Sequence, residues 1–82
     1  MKPINTYNEL KNMTIKHQEF IEVSEELYNN AISSNNINHL PNNTFQILDT
    51  IIAGRELYYT FGKKDNKYYG CLCNANFSIA NF

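Results

Sequence analysis

Cys71 and Cys73 stand one residue apart, and with His17 and His39 they supply the four ligands that a tetrahedral zinc site needs. Their spacing argues against that use. Structural zinc takes cysteines two to four residues apart on a tight turn, whereas a Cys-Leu-Cys strand spreads its sulfurs by about 7 Å, roughly two strand rises. The pair is also too close in sequence for an ordinary structural disulfide. Both are read as reduced thiols packed as small apolar groups, and neither a metal nor any other cofactor is expected. His17 falls within an apolar helical stripe, where a neutral imidazole fills space. His39 precedes Leu40-Pro41 in an asparagine-rich stretch and is expected in solvent. No spacing selects a Cys-His pair for covalent catalysis, so no catalytic residue is assigned.

Glu19, Glu22, Glu25 and Glu26 are the second group with chemical potential. Acid-base catalysis would need environments that separate their pKa values, which a solvated helix face does not provide. The common reading is a solvated face; the alternative is complementarity to a basic groove on a partner. Tyr58 and Tyr69, with Arg55 nearby, form the third group. Tyrosine and arginine suit binding surfaces because they combine apolar contact with hydrogen bonding at modest entropic cost. The opposing reading buries these tyrosines under the loop or the N-terminal segment. Gly54, Gly62 and Gly70 make no phosphate loop, because no Lys-Ser/Thr pair or helix start follows them in register.

The elements that would position these groups follow from a change of hydrophobic period near residue 40. Thr6 and Glu9 have capping-box spacing and predict a helix start. From there Leu10, Met13, His17, Phe20, Ile21, Ser24, Leu27, Tyr28 and Ala31 recur at steps of three and four, with Glu19, Glu22, Glu26, Lys11 and Lys16 opposite. An unbroken helix over 7–32 would run about 39 Å, longer than the roughly 30 Å expected across a chain of this size. A break is therefore expected at Asn12–Thr14, where Asn and Thr compete for backbone hydrogen bonds. Residues 33–43 read as a loop. The 44–53 stretch fits a helix capped by Gly54 or a β-branched strand, and the strand is preferred.

Period-two alternation is clearer beyond residue 56. Segments 57–61 and 68–73 flank a polar turn and predict a hairpin. Leu57, Tyr59, Phe61, Tyr68, Gly70 and Leu72 then share one face, and Tyr58, Thr60, Tyr69, Cys71 and Cys73 the other. The first face should receive the helix, leaving the second free to dock. A last strand at 77–80 would complete the sheet, with Phe82 over its end. The expected fold is α+β over residues 1–82 as one small domain: an interrupted N-terminal amphipathic helix packed on a three- to four-stranded antiparallel meander.

Composition narrows the partners. At 82 residues, with a net charge of −1 and a single arginine, the chain lacks the basic stripe that neutralises nucleic-acid phosphates. No apolar run is long enough to span a bilayer and the first residues carry no signal-peptide core, so the cytoplasm is the default compartment. In size and lack of catalytic motifs the chain resembles the inhibitors that phages and other mobile elements direct against host nuclease or defence complexes, CRISPR effectors included. That resemblance implies a non-enzymatic protein-binding module that occludes a nucleic-acid-binding surface. Self-association into a homodimer through an exposed sheet edge or the tyrosine face, and a small thiol- or zinc-dependent activity at Cys71 and Cys73, are the rival readings.

Overall fold

The first helix begins where its capping residues place it. In the computed structural model, which describes residues 2–47, 57–73 and 82, Thr6 caps helix α1 (Tyr7–Thr14). Its hydroxyl oxygen accepts from the Glu9 amide at 3.1 Å, and its hydroxyl donates to the Glu9 carboxylate at 3.0 Å. The helix ends at Thr14, within the expected break, but the chain does not resume the helix after a kink. Residues 15–20 cross over irregularly, Ile21–Val23 form strand β1, and only then does helix α2 (Glu25–Ile32) start, capped by Ser24, whose Oγ accepts from the Leu27 amide at 3.0 Å. The physical reason is a competing pattern. Ile21-Glu22-Val23 also alternates apolar and polar, and Ser24 offers a second cap, so the segment can pair with the sheet between the two helices. The molecule's longest extent is 32 Å, which a straight helix over 7–32 would overrun.

The 33–43 stretch, expected as a loop, contains strand β2 (Ile37–Leu40). A Pro41-Asn42-Asn43 turn returns it to β3 (Thr44–Ile47), with φ of 64° at Asn42 and 60° at Asn43. Asparagine enters that left-handed region more readily than other side-chain-bearing residues. Residues 44–47 are a strand, as preferred; 48–53 and the expected strand at 77–80 lie outside the described residues. The hairpin forms as anticipated from β4 (Tyr58–Lys64) and β5 (Lys67–Cys73), through a two-residue turn at Asp65 and Asn66 with φ of 53° and 63°. Positive φ at both positions matches the twist of the flanking strands.

The fold is α+β, with one five-stranded sheet in the order β1-β5-β4-β3-β2 and every neighbouring pair antiparallel. The sheet is broader than expected because β1 and β2 join at its two borders. On the outer side of β1, Ile4 forms a parallel bridge to Val23: the Ile4 amide donates to the Glu22 carbonyl at 3.0 Å and the Ser24 amide to the Ile4 carbonyl at 2.8 Å. Pairing Tyr59 with Leu72 and Phe61 with Gly70 puts the hairpin's apolar set on one face, as alternation requires. The two helices cover that face, and Leu10, Val23, Leu27, Ala31, Phe45 and Phe61 form its core. Among the described residues no helix is long and apolar enough to cross a membrane.

Candidate functional site

The four glutamates do not line one helix. Glu19 precedes β1, Glu22 sits at the centre of β1, and Glu25 and Glu26 occupy the first turn of α2. All four are exposed: Glu19 and Glu22 lie before and on border strand β1, and Glu25 and Glu26 follow it in the chain at the start of α2. Glu22 pairs in register with Tyr69, so it points to the opposite face from Ile21 and Val23. Glu25 and Glu26 meet the positive end of the α2 dipole, which favours carboxylates there. Glu25 is also anchored: it accepts a hydrogen bond from the Tyr68 hydroxyl at 2.9 Å. Beside this border lies a small groove of about 90 Å³ lined by Lys2, Pro3, Ile4, Met13, Ile21 and Glu22. Met13 is 50% exposed there.

The Tyr58 and Tyr69 flank was expected to be free for docking, and it is not. Thr60, Cys71 and Cys73 on that face are fully buried, Gln46 is nearly so, and both tyrosines are half-buried. Part of the cover is Phe82, whose ring lies against Gly62. A Cβ at that glycine would approach the Phe82 Cζ to 2.6 Å, so the missing side chain makes the ring's seat. Phe20 and Tyr69 meet the same ring edge-on at 4.9 and 6.0 Å. Arg55 lies outside the described residues. Phe20, Tyr69 and Phe82, with Lys64 and Asp65 from the hairpin end, line an open cleft of about 350 Å³. Sequence reasoning did not assemble this group, because residues 20, 64–65, 69 and 82 meet only through strand pairing.

Cys73 Sγ lies 3.9 Å from the Cys71 carbonyl oxygen, and both cysteines are free and buried. The neighbouring Cys73, together with burial, pushes the Cys71 pKa up, while the Cys71 thiol pulls that of Cys73 down. His17 is exposed after α1 and does not fill the core as expected; the break that ends the helix carries it out of the apolar stripe. His39 is exposed, as expected, although it lies on β2. Among the described residues no three His, Cys, Asp or Glu side chains converge on a common metal position.

Four tyrosines titrate above their ordinary 10.0: Tyr7, Tyr28 and Tyr59 through burial, and Tyr68 chiefly through its hydrogen bond to Glu25. A folded-state pKa above the unfolded one gives stability that is complete below pH 10.0 and lost as pH climbs through the raised values. Melting temperature is therefore expected to fall as pH rises beyond 10.0, and Tyr68→Phe should make that fall shallower. An equal decline in the variant and the wild type would contradict this account of Tyr68. What the chain does must be read from this surface, because no protein-family model, curated protein or solved structure matches it.

Proposed function

We propose that the chain is a non-enzymatic protein-binding module whose acidic border docks on a basic surface of another protein. The observation that carries this reading is the group of four exposed carboxylates, Glu19, Glu22, Glu25 and Glu26, within eight residues before, on and after border strand β1. Such a border attracts lysines and arginines and repels phosphates, so the chain itself does not bind nucleic acid. A surface that attracts carboxylates in this way is commonly one that binds nucleic acid. Occupying it would inhibit a nuclease or defence complex of the host, in the manner of the small inhibitors carried by mobile elements. The half-exposed Met13 beside Glu22 adds an apolar contact to the charged one.

The test is charge reversal at exposed positions, which leaves the fold intact. Wild-type chain used as bait recovers the partner from host extract, and the purified pair is then compared with Glu22→Lys/Glu26→Lys. Affinity is expected to drop by about tenfold or more, since close interfacial charge pairs couple at more than about 1.4 kcal/mol. Binding by the wild type should also weaken with added salt. Undiminished affinity in a folded double variant would remove the acidic border as the docking surface.

A second reading is favoured by β2, which ends the strand order among the described residues and pairs only with β3. Its outward backbone groups are a template for a second copy, which would form a homodimer by extending the sheet. Light scattering at micromolar and higher concentration separates the readings, because a persistent monomer excludes self-association.

A further inference from the structure

The tip of the β4–β5 hairpin carries charge of the opposite sign to the glutamates around β1. Three of the chain's seven cationic side chains, Lys63, Lys64 and Lys67, flank the Asp65-Asn66 turn, with Asp65 as the carboxylate between them. Lys64 and Lys67 are directly opposite in register at the last pair before the turn, so both lie on one face of the sheet. Like charges placed this way destabilise a strand pair, and an anion seated there would offset the cost. The same face holds an aromatic group. Gly62 pairs with Tyr69 on the approach to the two lysines, and the Phe82 ring rests on Gly62. Lys64 Nζ lies 6.0 Å from the centre of the Phe82 ring, and Lys63 Nζ lies 5.5 Å from that of Tyr68. Lys64, Asp65 and Phe82 line two open clefts. The one of about 350 Å³ adds Phe20 and Tyr69, and the other, of about 420 Å³, adds Asn42, Asn43 and Lys63. The β3–β4 register, with Thr44 opposite Gly62, is what brings the Asn42-Asn43 turn beside the hairpin tip.

Rings in one cleft, ammonium and carboxamide groups in the other, and Lys64 common to both suit a ligand with a flat ring at one end and an anion at the other. We propose that this end of the sheet binds a ribonucleoside monophosphate. The base lies among Phe20, Tyr69 and Phe82, since aromatic side chains accept the π-face of any base. The phosphate takes Lys63 and Lys64, and Asp65 accepts from the sugar hydroxyls. Both clefts fall within the size of small-ligand sites, roughly 300–1,000 Å³. A single nucleotide needs a pair of lysines and not the basic stripe that a duplex requires. The site stands apart from the docking surface proposed above. Glu22 pairs with Tyr69 but lines neither cleft, and the phosphate sits at the lysine end.

The experiment titrates the full chain at low salt with adenosine monophosphate and follows backbone and ring NMR shifts, with adenosine and inorganic phosphate as separate arms. The monophosphate should saturate a single site and shift Lys63, Lys64, Phe20, Tyr69 and Phe82 together. Adenosine and phosphate should each bind about tenfold more weakly or worse, because each forgoes either the charge-assisted bonds or the stacking. Lys64→Gln, at an exposed position, should weaken the monophosphate by about tenfold, and the ligand should raise the melting temperature of the wild type more than that of this variant. Phe82→Leu keeps an apolar group against Gly62 and removes the ring, so it should weaken the monophosphate and adenosine while leaving phosphate unchanged. The proposal is overturned if millimolar monophosphate gives no saturable shift, or if adenosine or phosphate binds as tightly as the whole ligand. Should Phe82→Leu fail to fold, Lys64→Gln decides alone, and undiminished affinity in that variant overturns the site.

Discussion

Phe61→Ala is expected to cost about 3–5 kcal/mol, the range for deleting a buried aromatic side chain. Phe61 is fully buried, stacks on Phe45 at 5.7 Å and meets Tyr7 edge-on at 6.0 Å. The upper part of the range is expected because its cross-strand partner is Gly70, which has no side chain to move into the vacancy. A chain of this length has a total stability of only about 4–12 kcal/mol at 0.05–0.15 kcal/mol per residue, so the loss is a large fraction of the whole. Gly70 sharpens the test. A Cβ there would lie 3.1 Å from the Phe61 ring and 3.0 Å from Leu10 Cδ2, so Gly70→Ala alone should destabilise. Combined with Phe61→Ala, the same methyl group enters the cavity, and the double variant should lose less than the sum of the single losses. Strict additivity in denaturant unfolding would show that the ring and the glycine are not coupled.

Thr14→Val should cost about 1–3 kcal/mol although it nearly preserves shape, because it strands a buried amide. The Thr14 hydroxyl donates to the Leu10 carbonyl at 2.8 Å, and its oxygen accepts from the Leu72 amide at 2.9 Å. That amide needs a side-chain partner because β1 pairs with β5 only over Tyr68–Gly70 and stops short of Leu72. Thr14 thus continues the border of the sheet by one hydrogen bond and ties α1 to β5. Thr14→Ser retains the hydroxyl and should lose markedly less. In the valine variant, hydrogen exchange at Leu72 should quicken out of proportion to the global loss. Wild-type exchange there would mean that the amide has found another acceptor.

These two sites mark how much was legible in advance. Phe61, Gly70 and Leu72 could be assigned to one face because period-two alternation on both sides of a polar turn leaves a single parity. The Thr6 and Glu9 cap was equally readable, since its hydrogen bonds span three residues. Strand β1 was not. Three residues, Ile21–Val23, satisfy helical steps and strand alternation alike, and nothing local decides between them. The four glutamates were read as the face of one helix and are divided between β1, its approach and α2, for the same reason. The freedom of the Tyr58 and Tyr69 flank failed differently, because whether a sheet face stays open depends on segments distant in the chain, such as Phe82 seated against Gly62.

By itself the sequence determined what neighbours within a few residues can enforce: the Thr6 cap, the Asp65-Asn66 turn, the β4–β5 register and hence the α+β class. The tertiary structure alone decided that β1 lies beside β5, that Thr14 meets Leu72 across a separation of 58 residues, that Glu22 lies on a border strand, and that Cys71 and Cys73 lie under a buried face. Local hydrogen bonds and turn sterics act on any chain that contains those residues. Strand neighbours and covered faces are chosen by the burial of the whole molecule, and several arrangements share the same local pattern until the complete core selects one.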